Sequence, residues 1–205
     1  SERSRAERAA RRRRESDSGL HRQIQRKIAS HRKLPDGEIM MDEMKTSAYC
    51  GLFCDACAVF IASKKHDMDA LNMIAMKMGT TAEEMVCHGC RSDRVSLHCR
   101  ACEFKRCASD KQIDFCYQCQ EYPCAKLKEF QVKMPHRAEL FESLDYLKAH
   151  GLAQWREKMK EDYACHACQT INSAYYITCK NCGHMPGNGF VERHLEKIKK
   201  HLQIP

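Results

Sequence analysis

A small, metal-stabilised α+β fold is predicted by three features of this 205-residue chain. It has fifteen cysteines, few large apolar residues, and turn residues that separate short helical patterns. With seven Phe, seven Tyr and one Trp, there is little aromatic material for a large core, so bound metal must supply much of the folding free energy. We expect an irregular cysteine-knuckle domain with short helices, a helical pair, then a β zinc ribbon and a terminal helix.

Shifts in composition divide the chain into four segments. Residues 1–39 are predicted to be a basic arm, either disordered or foreign to the natural protein, and the turn signal at Pro35-Asp36-Gly37 closes it. Residues 48–130 are predicted to be a cysteine-rich metal-binding domain. Residues 135–163 are predicted to be a helical linker pair, and residues 164–205 a zinc ribbon followed by a C-terminal helix.

The arm carries all of the net positive charge. Residues 1–33 hold twelve Lys/Arg against four acids, which equals the net charge of +8 of the whole chain. Arginine clusters bind phosphates, so residues 1–33 are a candidate contact for RNA or DNA. The segment has no aromatic residue to stack on bases, and a solvated tail is the alternative. The expected partners are an unidentified protein and RNA or DNA, with no membrane.

Metal is the predicted use of the cysteines. Six pairs have Cys-x-x-Cys spacing, which places two thiolates on one side of a tight turn, as two corners of a tetrahedron require. Disulfides are the competing interpretation. The opening run SERSRAERAARRRR has no apolar signal segment, so we expect a reducing, cytoplasmic location. The candidate metal ligands are Cys50, Cys54, Cys57, Cys87, Cys90, Cys99, Cys102, Cys107, Cys116, Cys119, Cys124, Cys165, Cys168, Cys179 and Cys182.

Helical periodicity appears early in the cysteine-rich domain. Residues 58–65 and 67–78 are predicted helices, and the second ends at Gly79. Thr81 begins a capping box that leads into Cys87. We interpret the methionines of this region as flexible core residues rather than metal ligands. The apolar positions assigned to the buried face of the second helix are Met68, Leu71, Ile74, Ala75 and Met78.

A helical pair is predicted after Pro135, with Gly151 as the stop between its two helices. The apolar face of the first helix contains Leu140, Phe141, Leu144 and Leu147. The second helix continues through Leu152, Trp155, Arg156 and Met159. The chain ends in a predicted amphipathic helix whose apolar side carries Val191, Leu195, Ile198 and Leu202, and we expect it to dock on the ribbon.

The strongest local motif is Cys165-x2-Cys168-x10-Cys179-x2-Cys182. Residues 174–178 between the two pairs are β-prone, so the motif predicts a zinc ribbon. Four thiolates close a tetrahedron and leave no open position, which makes the site structural. Rubredoxin-like iron would satisfy the same geometry, but zinc is favoured because nothing nearby suggests a redox partner.

The ligand pairing among the eleven cysteines of residues 48–130 stays open. Two closed four-cysteine sites would leave Cys50, Cys54 and Cys57, and a third site would need a histidine such as His66 or His98. The order of the pairs resembles the interleaved ligands of cross-brace zinc modules. The expected cofactors are three or four zinc ions, with one [4Fe–4S] cluster in this domain as the alternative.

The run Cys50-x3-Cys54-x2-Cys57 also resembles the radical S-adenosylmethionine signature, whose three thiolates hold an iron–sulfur cluster. That family requires a β/α barrel after the motif. The residues that follow carry twelve more cysteines and no alternating strand–helix pattern, so the scaffold for radical chemistry is missing.

Several longer motifs point to one family. They are Tyr49-Cys50-Gly51-Leu52-Phe53-Cys54, then Cys87-x-Gly89-Cys90-Arg91-Ser92-Asp93, and Phe115-Cys116-x-x-Cys119-x-Glu121-Tyr122-Pro123-Cys124. Over residues 48–130 the chain resembles a cysteine-rich bacterial and archaeal family known only as a numbered domain of unknown function. The C-terminal ribbon resembles the longer members. The resemblance implies metal-binding cysteines and no established activity.

Motifs of known catalytic chemistry are absent from the sequence. It has no phosphate-binding loop, Rossmann glycine run, His-Glu-x-x-His or Gly-x-Ser-x-Gly. The expected function is a multi-zinc protein without catalytic machinery that acts as a protein- or nucleic-acid-interaction module. The alternative is an iron–sulfur protein for electron transfer or an accessory to an oxygen-sensitive enzyme. A thiol or metal enzyme using Cys50, Cys54 and Cys57 is a third hypothesis, so catalysis is left undecided.

Overall fold

The computed structural model describes residues 43–204, and this part of the chain is built from helices. The α-helices are α1 Ala58–Lys64, α2 Met68–Met78, α3 Ala82–Met85, α4 Leu97–Arg100, α5 Glu103–Asp110, α6 Ala125–Val132, α7 Leu140–Tyr163 and α8 Gly189–Leu202. Short 3-10 turns occur at Cys54–Ala56, Cys116–Gln118 and Pro135–Arg137. The predicted arm of residues 1–39, and the nucleic-acid contact predicted for residues 1–33, lie outside the described residues.

The predicted α+β class and its β zinc ribbon are wrong. Between residues 43 and 204 the extended pairing is limited to two isolated bridges, Ser47 with Phe53 and Ala164 with Ile171. The β-prone residues 174–178 form a turn instead of a strand. Tyr175 packs edge-on against the ring of His136, and Ala174 is buried in the core. These tertiary contacts override the local β preference, which is itself largely a measure of packing.

Helices α1 to α3 pack around a small apolar cluster. Leu71 and Ala75 on α2 point inward with Met85 of α3, as residues four apart on one helix face do. Asp67 caps α2 by accepting a hydrogen bond from the backbone N–H of Ala70 at 2.9 Å. The prediction that the methionines of this region fill the core is confirmed for Met85 and wrong for the four methionines of α2, which are exposed. They are Met68, Met73, Met76 and Met78, which are between 40% and 80% exposed.

Helix α7 is two helices joined at a break. Gly151 has φ 79° and ψ 173°, which lie outside helical geometry. The helix is therefore kinked at Gly151 and continues on the other side. Before the break, Leu140, Leu144 and Leu147 are buried. After it, Trp155 is fully buried and its indole N–H donates to the Ser143 hydroxyl at 2.8 Å. This hydrogen bond ties the two halves of α7 together across the break.

Aromatic rings join the first cysteine motif to the C-terminal half of the chain. Phe53, between Cys50 and Cys54 in sequence, meets Trp155 edge-on at 5.8 Å between ring centroids and stacks on Tyr163 at 6.2 Å. Tyr163 stacks in turn on Phe190 of α8 at 5.2 Å. Pairs of this kind add about 0.5–1.5 kcal/mol each beyond the area they bury. The cysteine-rich region and the C-terminal region therefore share one core.

The terminal helix α8 is fixed by polar contacts as well as by its apolar side. Phe190, Val191 and Ile198 are buried. The Arg193 guanidinium forms a two-point ion pair with Glu139, at 2.7 and 3.0 Å, and reaches Asp162 at 3.1 Å. Burial raises the pKa of Glu139, but hydrogen bonds with Arg193 and His194 hold it below its ordinary value. In residues 43–204, no helix combines the length and apolarity needed to cross a bilayer.

Candidate metal centre

The first half of the centre is a turn directly after α7. Cys165 accepts a hydrogen bond at its carbonyl from the N–H of Gln169 at 2.8 Å, and its own N–H donates to the Thr170 carbonyl at 2.9 Å. Gln169 adopts φ 60°, which turns the chain back after Cys168. The two thiols of the pair are therefore held on the same side of a closed loop.

The second half repeats this backbone pattern fourteen residues later. The Gly183 N–H donates to the Cys179 carbonyl at 3.0 Å, and the Cys179 N–H donates to the His184 carbonyl at 2.8 Å. Gly183 has φ 75° and occupies the position that Gln169 holds in the first turn. Glycine adopts this conformation at no steric cost. The two Cys-x-x-Cys turns are thus built in the same way, although no strand connects them.

The turns face each other, and their four sulfurs converge. Cys165 Sγ lies 3.6 Å from Cys182 Sγ, and Cys168 Sγ lies 3.7 Å from Cys179 Sγ. All four sulfurs are within 4.8 Å of one another. A tetrahedron with metal–sulfur bonds of 2.3 Å has edges of about 3.8 Å. The group therefore has the size that a single tetrahedral ion requires, and it is positioned for metal binding.

Polar groups around the sulfurs favour the thiolate form. Asn172 Nδ2 lies 3.3 Å from Cys179 Sγ, and the Asn181 N–H donates to the same sulfur at 3.4 Å. Hydrogen bonds with Thr170 and Asn181 lower the pKa of Cys168 to about 5. A metal ion requires deprotonated thiols, so these donors prepare the group for a cation.

Neighbouring sulfurs favour the protonated form of Cys182. Although a hydrogen bond from the His184 N–H lowers it, the pKa of Cys182 rises to about 12, chiefly because of its hydrogen bond with the Cys168 sulfur. Cys165 and Cys179 are buried, whereas Cys182 is exposed. Binding of a dication would release this proton.

Two buried asparagines hold the centre in place, and neither was predicted from the sequence. Asn172 accepts the Lys180 N–H at 3.0 Å and donates to the Thr170 carbonyl at 2.8 Å, so it links the two turns. Asn188 donates to the carbonyls of Asn172 and Ser173 and caps α8 by accepting the Val191 N–H at 2.8 Å. The available signal was the Asn188-Gly189 start of an apolar helix, which is typical of a helix N-cap.

The other eleven candidate ligands lie in the cysteine-rich region. They do not form a second group whose sulfurs are as close together as those of the Cys165 group. Among residues 43–204, the Cys165 group is the one set of three or more ligand side chains whose ligand atoms all lie within 4.8 Å. All fifteen cysteines are free thiols. Ligand roles for the eleven remain predictions. They are Cys50, Cys54, Cys57, Cys87, Cys90, Cys99, Cys102, Cys107, Cys116, Cys119 and Cys124.

Backbone contacts nevertheless bring several of these thiols together. The Cys116 N–H donates to the Tyr49 carbonyl at 2.8 Å, which sets Cys116 beside the loop that carries Cys50. The Arg91 guanidinium lies over the rings of Tyr49, at 3.9 Å, and Phe115, at 4.8 Å. The motif Cys90-Arg91 is thereby held against both of the segments that carry Cys50 and Cys116.

Burial makes this region unfavourable for thiolates without a cation. Desolvation raises the pKa of Cys57 to about 11, of Cys90 to about 11 and of Cys116 to about 12. It also raises that of Cys50 and Cys54. Nearby thiols add to the effect, because two negative charges repel in a low-dielectric site. A bound metal ion would reverse this preference and ionise the thiols that it contacts.

Two thiols of the Cys50-x3-Cys54-x2-Cys57 motif share Cys90 as a neighbour. Besides burial, the thiols that raise the pKa of Cys50 are chiefly those of Cys90, Cys116 and Cys102. For Cys54 they are those of Cys90, Cys57 and Cys87. Cys50 and Cys54 therefore both lie near Cys90 and differ in their other neighbours.

The candidate histidines do not form a compact ligand group with the cysteines of this region. His66 is exposed and follows α1 with φ 54°, and His98 is exposed on α4 beside the hydroxyl of Ser96. His88, between Cys87 and Cys90, is also exposed.

Part of the chain matches the model of a known family. Residues 46–129 match the model of the family described as "Protein of unknown function (DUF3795)". No curated protein and no solved structure matches the chain. The match covers the region with the eleven cysteines and ends before the Cys165 group, so the four-sulfur centre lies outside the family model.

Proposed function

With residues 46–129 assigned to this family of unknown function, we propose that the protein is a multi-zinc binding protein without catalytic machinery. Its ions would rigidify a surface for a protein or nucleic-acid partner. The observation that carries the proposal is the convergence of Cys165, Cys168, Cys179 and Cys182 within 4.8 Å. Four thiolates fill every position of a tetrahedral ion, whereas a catalytic zinc keeps one position for water or substrate.

The surroundings of the centre support a structural role. Asn172 and Asn188 connect the two cysteine turns to the start of α8, and Phe190 of α8 packs on Tyr163 at the end of α7. A metal at the centre would therefore fix how the last two helices meet. Structural zinc contributes about 10–16 kcal/mol in finger-sized units, which is comparable to the stability of a whole domain.

An exposed surface on α2 supports a protein partner. Met73 and Met76 are 63% and 80% exposed, and Met78 is 51% exposed. Methionine side chains are flexible and polarisable, and they are used at adaptable binding surfaces. This surface lies on the domain that matches the family model.

An iron–sulfur protein is the second candidate, and one observation favours it. Five of the eleven thiols of the cysteine-rich region lie at one buried cluster, yet no three of the eleven form a group within the 4.8 Å that the Cys165 group satisfies. In a [4Fe–4S] cluster each thiolate binds a different iron, so the sulfurs stand farther apart than around one ion. This candidate predicts redox chemistry in the cysteine-rich region and a structural ion at the Cys165 group.

Metal analysis of protein purified without oxygen tests both candidates. Inductively coupled plasma mass spectrometry and an ultraviolet–visible spectrum are recorded on the same sample. About three or four zinc ions per chain without visible absorbance supports the multi-zinc proposal. About one zinc with about four irons, inorganic sulfide and a broad visible band supports the iron–sulfur candidate instead.

The nucleic-acid form of the proposal has its own test. Binding of the full chain to a mixed-sequence RNA and a mixed-sequence DNA is measured over a range of salt concentrations and compared with a variant lacking residues 1–39. If residues 1–33 contact phosphates, the deletion weakens binding and flattens the salt dependence. An unchanged salt slope would remove the arm from the proposed function.

A further inference from the structure

We propose that Cys107, Cys116, Cys119 and Cys124 form a second four-thiolate centre that binds one zinc ion, separate from the seven other cysteines of residues 46–129. The inference does not rest on the Cys165 group, with which it shares no residue. It rests on the observation that the face of α5 that carries Cys107 lies against the loop that leads into α6.

One face of α5 is aligned by contacts at both of its ends. Glu103, Cys107 and Lys111 are spaced four apart, so their side chains lie one above the other along the helix. At the first end, Glu103 pairs with Lys126 at 3.5 Å. At the other end, the Lys111 ammonium lies 3.1 Å from Cys119 Sγ.

The partners of this face are the residues around Cys119 and Cys124. Lys111 also pairs with Glu121 at 3.1 Å, and Lys126 follows Cys124 by two residues. The two contacts therefore place the loop from Cys119 to Lys126 along the same face of α5. Cys107 lies in the middle of that face, between the Glu103 and Lys111 contacts. This position directs the Cys107 side chain toward the loop.

The loop itself presents three thiols in a compact arrangement. Cys116 begins a 3-10 turn, and the Cys119 N–H donates to its carbonyl at 3.2 Å, which is a Cys-x-x-Cys turn. The next hydrogen bond, from the Tyr122 N–H to the Cys119 carbonyl at 3.0 Å, turns the chain again. Cys124 then serves as the N-cap of α6.

Apolar packing keeps α5 and α6 in this relation. Phe104 meets Phe130 of α6 with 4.7 Å between ring centroids, and Leu127 of α6 is buried in the same cluster. Ala108, next to Cys107, is almost fully buried. The helices are thus fixed by their cores, and the thiols lie at the edge where the loop meets α5.

A positive charge lies beside the proposed centre. Four thiolates on a zinc ion leave two negative charges, and the Lys111 ammonium is already placed to offset one of them.

Side-chain rotation is the change that zinc binding requires. These sulfurs do not all lie within 4.8 Å, whereas a zinc tetrahedron has edges of about 3.8 Å. Cys107 is exposed and Cys119 is partly exposed, so rotation about their Cα–Cβ bonds meets little packing resistance. Cys116 and Cys124 pack against the cluster of Phe104 and Leu127, so the rotation falls mainly to the other two.

Thiol protection tests the grouping without altering the chain. The full-length protein loaded with Zn²⁺ alone is treated with iodoacetamide at increasing concentration, and alkylation at each cysteine is followed by peptide mass spectrometry together with released zinc. We expect Cys107, Cys116, Cys119 and Cys124 to become alkylated in one step that releases one zinc. Early alkylation of Cys107 while the other three stay protected would overturn the proposal. Alkylation of Cys102 in the same zinc-releasing step as the four would also overturn it.

A charge variant gives an independent readout. Lys111→Met removes the ammonium beside Cys119, and Arg106→Met removes a positive charge from an exposed position on the same helix. We expect Lys111→Met to weaken zinc binding at this centre about tenfold, as loss of a group supporting a ligand does, and Arg106→Met to leave it unchanged. Equal zinc affinity in the two variants would contradict the proposal, and so would iron with sulfide in these four positions.

Discussion

Arg156 reaches from the second half of α7 into the first Cys-x-x-Cys motif, where its guanidinium lies 3.1 Å from the carboxylate of Asp55. The same guanidinium donates to the Thr46 hydroxyl at 2.8 Å and to the Glu43 carbonyl at 3.1 Å. Its side chain is only 8% exposed. A buried arginine with these partners fixes the cysteine motif against α7.

Replacing Arg156 should therefore destabilise the protein. Arg156→Met leaves Asp55 without its main partner, and we expect a loss of about 3 kcal/mol in the free energy of unfolding. Arg156→Lys keeps the charge but cannot make the same set of hydrogen bonds, so we expect an intermediate loss. Urea unfolding measures both. In a double-mutant cycle with Asp55→Asn, additive losses would show that the pair is not coupled.

Gly187 is a second position at which we expect a substitution to destabilise the protein. A Cβ at Gly187 would collide with the carbonyl oxygen of Tyr176, while the Gly187 N–H donates to the Ile177 carbonyl at 2.7 Å. Gly187→Ala must therefore push apart two backbone segments beside Cys179, and we expect a loss of about 3 kcal/mol and weaker zinc binding at the Cys165 group.

Gly183→Ala is the matched control for that substitution. Gly183 has φ 75° but open space around its Cα, so alanine there adds only backbone strain of about 1–2 kcal/mol. Thermal unfolding and competition with a zinc chelator compare the two variants. A smaller effect for Gly187→Ala than for Gly183→Ala would contradict the close approach.

His136 predicts a pH dependence of stability. Burial, helped by the positive charge of Arg137, lowers its pKa from about 6.5 to about 3, and its Nδ1 lies 2.5 Å from the Tyr175 hydroxyl. Because the unfolded chain binds a proton that the folded protein does not, stability falls as pH drops below about 6.5 toward about 3.

The substitution His136→Gln removes this titration. Between pH 7 and 5.5 the wild-type protein should lose about 1 kcal/mol more stability than the variant. Urea unfolding at both values, with excess zinc throughout, measures the difference, since acid weakens thiolate–metal bonds equally in both proteins. Identical losses would show that His136 does not stay neutral on folding.

Metal removal gives the fourth prediction, with Trp155 as its reporter. Trp155 is the single tryptophan and is fully buried, in the same cluster as Tyr163 and Phe190 near the Cys165 group. Stripping metal with a chelator should loosen the two cysteine turns and the start of α8, which shifts Trp155 emission to longer wavelength.

The double substitution Cys179→Ser with Cys182→Ser should give the same emission shift without a chelator. Restoring zinc should reverse the shift in the wild-type protein and leave the variant unchanged. Unchanged emission in metal-free wild-type protein would show that the centre does not support the core.

The four-sulfur group was predictable because its information is local. The spacing of Cys165, Cys168, Cys179 and Cys182 is enough to name the four cysteines of the group, and glycine at position 183 suits the positive φ of the second turn. What the spacing did not indicate is that the turns are joined through Asn172 rather than through a β-hairpin. The strand prediction for residues 174–178 failed because Tyr175 finds partners in His136 and His201.

The sequence by itself determined the four-cysteine group at Cys165 and two of the places where a helix is interrupted or ends. Gly151 interrupts α7 and Gly79 follows α2 because few other residues tolerate a positive φ. Only the tertiary structure decided that Arg156 pairs with Asp55, a hundred residues away, and that the methionines of α2 face outward. Periodicity states which residues share a face of one helix, but whether that face is covered depends on contacts from distant segments.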